Sequence, residues 1–234
     1  MLKRRFIGRL FLFLHRSYLE MKKNVVLFVL FVLPIVAYLF FASGVNQFAT
    51  LPIVTKEVPE ITATGLDGIP VTLDGKITVL GFGGHDLRAN RGNIFNLNMK
   101  VYQRYHEFKD LQFVMLCPKG TEEDADYILQ QLEAFTNTSR WKFAFADDET
   151  IRNIYASLQL KEPLGTTLGT PNVFIIDKNR SLRGRKGDAE FEAGYSTFHP
   201  SELSNEMLDD FKIILYEYRA ALKKNNNATK RLGT

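Results

Sequence analysis

The sequence predicts an α/β domain in which a mixed sheet is flanked by helices, and three observations predict it. Runs rich in β-formers alternate with segments of helical period from about residue 78 onward. Two of those runs, "LQFVMLC" and "NVFII", are almost wholly apolar, as strands covered on both faces must be. The composition, 45% hydrophobic and 24% charged over 234 residues, is that of a globular chain long enough to bury one sizeable core.

Each element has its own signal. "ITATGLDGIPVTLDGKITVLGF" holds short β-rich runs broken twice by "LDG", which reads as a hairpin leading into a central strand at Thr78 to Phe82. From Asn93, residues Ile94, Leu97, Val101, Tyr105 and Phe108 recur at helical spacing and predict a long amphipathic helix. "LQFVMLC" is the next strand. "TEED" then opens a helix, with Thr121 as its cap, Asp124 at the positive end of its dipole, and Ile128, Leu132 and Phe135 as its inner face. "WKFAFA" is a strand, followed by a helix from Asp147 that buries Ile151, Ile154, Tyr155 and Leu158. "TPNVFIIDKNRSLRGRKG" reads as two adjacent strands, with "GRKG" a turn between exposed strands. A last helix over 205–222 repeats apolar residues at Leu208, Phe211, Leu215, Tyr218 and Leu222, and the polar stretch 223–234 is expected to be a disordered tail.

The N-terminal third of the chain differs in composition. Residues 1–24 form a basic segment with seven Lys or Arg against Glu20 alone; removing these from the totals of 30 and 26 leaves 23 basic against 25 acidic. The folded part is therefore slightly acidic, which removes the main support for a nucleic-acid partner. Val25 to Ala42 is an uncharged run of 18 residues, about 27 Å long as a helix, and can span a bilayer despite Pro34. The basic flank precedes it and the next charge is Lys56, so the N-terminus is expected in the cytoplasm and the bulk of the protein outside. A cleaved signal peptide is the rival reading, since "ASG" at 42–44 offers small residues, but the run exceeds a usual signal core of about 7–15 residues. "MKKNVV" at Met21 also resembles a natural start, in which case the first twenty residues are an extension; otherwise "FIGRLFLFLHRSYL" is read as an amphipathic segment on the inner membrane surface. The expected organisation is a cytoplasmic segment 1–24, an anchor 25–44 in the inner membrane with a single pass, a linker 45–60, a periplasmic domain 61–222 and a tail 223–234.

Three stretches carry a family resemblance. "VLGFGGHDLRANRGNIFNLNMKV" resembles the central strand, active-site loop and first helix of the thioredoxin superfamily. "GTPNVFIIDKNRSLRG" is similar to that superfamily's Thr, cis-proline and following strand ending in "IDK", and "FVMLCPKGTEED" resembles the Sco/SenC branch, which matures the copper centre of cytochrome c oxidase. The resemblance covers roughly residues 50 to 222 and implies a thioredoxin-like fold. It also implies a Cys-x-x-x-Cys loop and a copper-binding histidine. Neither is present: the loop reads "HDLRANR", and the position of the histidine is Gly169. Copper(I) prefers thiolate and thioether ligands, and dithiol exchange needs two thiolates, so no redox or copper chemistry, no catalytic residue and no cofactor is expected.

What remains is a loop for binding. The candidate residues are His85, Asp86, Arg88, Asn90 and Arg91 at the start of the first helix, where free N–H groups favour an anion, and Thr170 and Pro171, whose implied cis peptide would face the loop and pair with an extended peptide. His85 and Asp86 suit zinc or divalent copper, but two neighbours are not a site, and the plainer expectation is that Asp86 and Asn90 hydrogen-bond the loop and cap the helix. Cys117, the single cysteine, is expected to be a buried hydrophobe; exposed with a lowered pKa, it would instead suit a thiol-dependent peroxidase or reductase. The carboxylates at 147–149 read as a solvated helix start. The function expected is that of a membrane-anchored binding or assembly protein for an envelope or respiratory-complex partner, with metal delivery through His85 as a further alternative.

Overall fold

The computed structural model describes residues 25–39, 50–187 and 191–231, in two units divided between Phe48 and Ala49. In the first unit, residues 25–39 form a helix, α1, whose side chains are mostly exposed. Among the described residues no helix is long and apolar enough to cross a membrane. The basic segment, residues 40–42 of the expected span and the first residues of the linker lie outside the described residues.

The second unit is built on a sheet with strand order β1-β7-β6-β3-β4-β5-β2. Its middle consists of β3 (Ile77–Gly83), β4 (Leu111–Pro118) and β5 (Trp141–Ala146), which run parallel, and β6 (Gly169–Ile176), antiparallel to β3. At the edges lie β1 (Ile53–Thr55) with β7 (Leu182–Arg183), and β2 (Thr64–Gly65). A further strand, β10 (Gly194–Ser196), pairs with β6, and β8 (Arg185–Lys186) and β9 (Phe191–Glu192) form a separate hairpin. This strand order, with the antiparallel β6 beside the central β3, makes the fold thioredoxin-like.

The pleat distributes the core between two faces. In β4, Phe113, Met115 and Cys117 point to one cluster and Val114 and Leu116 to the other; in β6, Val173 and Ile175 oppose Phe174 and Ile176 in the same way. The first face is covered by three helical segments. One starts as α2 (Arg91–Leu97) and continues through a π-helical turn, Asn98–Tyr102, into α3 (Gln103–Tyr105). The second is α4 (Glu122–Glu133); the third runs from α6 (Pro200–Glu202) through a π-helical turn, Leu203–Met207, into α7 (Leu208–Arg231). The second face is covered by α5 (Asp148–Ser157) and the segment around Val58 to Leu73. The π turn of the first helix seats two buried polar groups: Asn98 accepts from the Trp141 indole at 3.0 Å, and the Tyr102 hydroxyl donates to Asn137 O at 2.7 Å.

Several local expectations are corrected. Residues 50–60 are not a linker: Leu51 and Val58 are buried, β1 pairs with β7, and the N–H of Val58 donates to Arg180 O at 2.8 Å. The expected hairpin before β3 shrinks to one bridge, Thr64 to Pro70, because β2 spends its pairing on β5 instead. Phe135 lies beyond the end of α4 and is exposed. "GRKG" is no turn, because Arg185 is held by Asp210 at 3.0 Å and Glu206 at 2.7 Å and its strand pairs with β9. The last helix begins five residues early, at Pro200, and continues past Leu222 to Arg231, into the stretch expected to be a tail.

Candidate functional site

The site forms where β3 and β6 end side by side. Gly83 pairs with Gly169, and Gly84 turns the chain with φ at +68°. A Cβ on Gly84 would lie 2.7 Å from Gly169 N and from Thr167 O, so the two segments touch backbone to backbone. The N–H of His85 donates to Thr167 O at 2.8 Å and completes the contact. Leu168 is buried between these residues with φ at +64°, a conformation an L residue holds only when its surroundings fix it.

After Gly84 the chain does not present a reactive side chain to solvent. It buries Leu87, which is wholly inaccessible. The loop then closes on itself, with Asn90 N–H donating to Asp86 O at 3.1 Å and Arg91 N–H to Arg88 O at 3.4 Å. Asn90 is the N-cap residue of α2, yet its side chain makes no capping bond, contrary to expectation. Thr121 likewise caps α4 by position only, since its hydroxyl donates to Pro118 O at 2.7 Å. Asp147, read from the sequence only as part of a solvated helix start, does cap α5, accepting from the Thr150 N–H at 2.9 Å.

Between the loop and β6 lies a cleft of about 350 Å³. Its floor is apolar, from Leu87, Ile94, Met115 and Val173, and its rim carries Asn90, Thr170, Pro171 and the segment 196–199 with the exposed ring of Phe198. Asn96 fastens that segment to α2 by donating to Thr197 O at 3.0 Å. Of the seven residues expected to bind, Asn90, Thr170 and Pro171 line the cleft.

The other four do not. His85 Nε2 lies 3.4 Å from both carboxylate oxygens of Asp148, and Arg88 is paired with Asp124 at 3.2 Å while its guanidinium stacks 4.4 Å over the Tyr127 ring. Arg91 donates back to Arg88 O at 3.0 Å, and Asp86 is exposed. His85 and Arg88 are thus met by carboxylates of α5 and α4 rather than turned on the cleft. The residues that sequence reasoning missed are Leu87, Met115, Thr197 and Phe198. "YSTFHP" gave no signal, because a three-residue strand such as β10 is too short to show a period.

The expectation for Thr170 and Pro171 is overturned in two ways. Among the described residues there is no cis peptide bond, so this one is trans. The edge is also occupied by the chain itself: Ser196 pairs with Asn172, and Thr197 donates both its N–H, at 2.8 Å, and its hydroxyl, at 2.6 Å, to Pro171 O. An extended peptide cannot add main-chain bonds there.

Neither thiol nor metal chemistry fits this geometry. Cys117 is fully buried, and its thiol donates to Met115 O at 3.5 Å. Burial pushes its pKa far above the ordinary thiol range, with the Gly83 backbone opposing weakly and Glu122 adding to the rise. A peroxidase or reductase needs the reverse. The donor set for copper is equally unsuitable. A Cβ at Gly169 would stand 3.2 Å from Gly83 O, so an imidazole there requires the end of β3 to move. Among the described residues no three His, Cys, Asp or Glu side chains gather to hold a metal, and His85 with Asp148 makes two ligands where a zinc site takes three or four.

No protein-family model matches the sequence, and no curated protein matches it. Solved structures do. The chain is similar to BsSco, a member of the Sco family of cytochrome c oxidase assembly proteins, with 12% identity, 68% of this chain and 99% of that one covered, and a TM-score of 0.44. Copper-bound ScoI of Arabidopsis thaliana gives 14% identity, coverage of 66% and 97%, and a TM-score of 0.44. A thiol:disulfide interchange protein of the thioredoxin family from Chlorobium tepidum gives 16%, 67% and 97%, and 0.43. At these identities the similarity assigns no residue a role. Sco-family proteins and thiol:disulfide interchange proteins are thus among the solved structures to which this chain is similar.

Proposed function

We propose that this chain is a membrane-anchored, extracytoplasmic member of the Sco/SenC-like branch that has given up thiol and copper chemistry and binds a partner protein of the envelope or of a respiratory complex. The observation that carries the reading is the cleft at the end of β3. It retains a floor of four apolar side chains, while the nearby Cys117 thiol is fully buried. A concave apolar surface with a few polar groups at its rim and one exposed aromatic is the composition of a recognition site. The uncharged run 25–42 behind a basic flank supports the anchor and its orientation. The Sco/SenC resemblance of "FVMLCPKGTEED" supports an assembly role.

The test is site-specific photo-crosslinking in membranes that contain the full chain. A crosslinker in place of His199, which is exposed at the cleft rim, is expected to capture a discrete protein partner, whereas one in place of Phe135, exposed beyond the end of α4 and no part of the cleft lining, is expected to capture none. Equal capture, or none from either position, removes the reading. Localisation is checked separately by protease protection: the domain is expected to be digested from the extracytoplasmic side only.

A further inference from the structure

The cleft does not end at β6. A larger groove of about 880 Å³ adjoins it, and the two share Pro171, Ser196 and His199 in their linings, so together they count as one trough. The groove is walled by the end of α5 and the loop after it on one side, and by the β8–β9 hairpin on the other. Its apolar surface comes from Val54, Leu160, Phe174 and Phe191, and Phe191 is 52% exposed. Large aromatic side chains left at the rim of a groove are the usual anchors of an interface.

Among the described residues, three carboxylates line the groove, Glu162, Glu192 and Glu202, with Lys161 and His199. Two of the carboxylates are already oriented. Glu162 accepts from the Asn172 side chain at 3.2 Å and Glu202 from the Ser196 N–H at 2.6 Å, which leaves the second oxygen of each for another donor. Both holding residues, Asn172 and Ser196, belong to the strand pair that forms the trough's floor.

We infer that the trough takes an extended segment of the partner protein that sets an apolar side chain into the cleft and places a lysine or arginine, a few residues along, among Glu162, Glu192 and Glu202. The inference rests on the reading of the cleft as a partner-binding site and adds to it the chemistry of the partner. A compact small molecule would fill one compartment; a chain with side chains at intervals fills both. Recognition is by side chains, because the β6 edge beneath is already paired by β10.

The test uses the full chain in detergent and fluorescein-labelled nonapeptides with one Leu or Phe followed by two Lys, beside the same peptides with Lys replaced by Glu, read by fluorescence anisotropy. The basic peptides are expected to bind about tenfold more tightly than their acidic counterparts, with a preference that fades at high salt. The Glu162→Gln, Glu192→Gln double variant is expected to lose most of that preference and to melt like the parent, since the amide oxygen that replaces the Glu162 carboxylate would still accept from Asn172. A preference that survives in the double variant places the basic residues elsewhere and overturns the inference. Equal binding of both peptides, lost in Phe198→Ala, overturns it as well but leaves the cleft standing as a binding site. If neither peptide binds, the trough is not a peptide site, and capture at His199 decides the cleft independently.

Discussion

Gly84 and Gly169 show at the scale of single residues why the loop has its present form. Gly84 holds a left-handed backbone and has another backbone 2.7 Å from where its Cβ would be, so Gly84→Ala combines conformational strain with a clash that no side chain can absorb. Its cost is expected to be about 2–4 kcal/mol, read as a fall in the urea midpoint. Gly92, in α2, has open space around its Cβ position; Gly92→Ala is expected to be neutral or to stabilise by up to about 1 kcal/mol. Equal effects at the two positions would contradict the packing described. Cys117 makes a second residue-level claim. A thiol reagent is expected to leave the native protein unlabelled and to react within the mixing time once urea unfolds it; rapid native labelling would reopen the thiol chemistry that burial closes.

At the scale of elements, the "IDK" segment has a physical role that the family resemblance did not supply. Asp177, buried at the end of β6, accepts the N–H groups of Asn179 and Ser181 at 2.9 Å each and the guanidinium of Arg183 at 2.9 Å, so it builds the turn into β7. Arg183 then reaches Glu217 on α7 at 2.7 Å and Leu51 O at 2.9 Å, and so ties β7, the β1 segment and the last helix together. Burial works against the charge of Arg183, and its bonds to Glu217 and Asp177 more than offset that. Arg183→Met leaves the buried Asp177 without its cationic partner, while the partly exposed Glu217 keeps the Leu51 N–H, and is expected to cost about 3–5 kcal/mol in equilibrium unfolding; a loss below about 1 kcal/mol would show that water replaces the guanidinium. Lys178, the next residue after Asp177, donates to Asp110 at 2.8 Å, and Tyr218 of α7 donates to the same oxygen. These bonds, from Lys178 first and Tyr218 second, hold the Asp110 carboxyl below the usual carboxylate range. A depressed folded pKa stabilises above the unfolded value and is lost as pH falls through the folded one. Asp110 is 36% exposed, so the effect is screened and worth less than about 1 kcal/mol. Asp110→Asn is therefore expected to be less stable than the parent at pH 7 and to converge with it below about pH 4; a gap independent of pH would make the interaction steric.

At the scale of the whole molecule, the elements with strong signals were legible and the site was not. β3, β4 and β6 announce themselves as apolar runs and α5 by its buried stripe, and the resemblance of the loop points to the end of the sheet where the cleft lies. β1, β8, β9 and β10 are two or three residues long and carry no period, so they were invisible, and with them the closure of the β6 edge. The charged residues of the loop draw attention because charge is conspicuous in a sequence; the fold pairs Arg88 with α4 and His85 with α5 and leaves the apolar Leu87, Met115 and Phe198 to shape the cleft. Sequence spacing cannot show which neighbour will answer a charge, and that is decided by the packing of helices distant in the chain.

The central claim is that partner recognition in the cleft has replaced chemistry at the loop. The measurement that tests it most directly is the yield of partner captured at position 199 from the parent chain and from Cys117→Ala, His85→Ala and Phe198→Asp chains, compared side by side in native membranes. Cys117→Ala and His85→Ala are predicted to capture as the parent does, because neither side chain reaches the cleft, and Phe198→Asp to capture at least about tenfold less, as removal of an interface anchor does. Loss of capture in Cys117→Ala or His85→Ala, with Phe198→Asp unaffected, would contradict the claim and return the function to the thiol or to the imidazole.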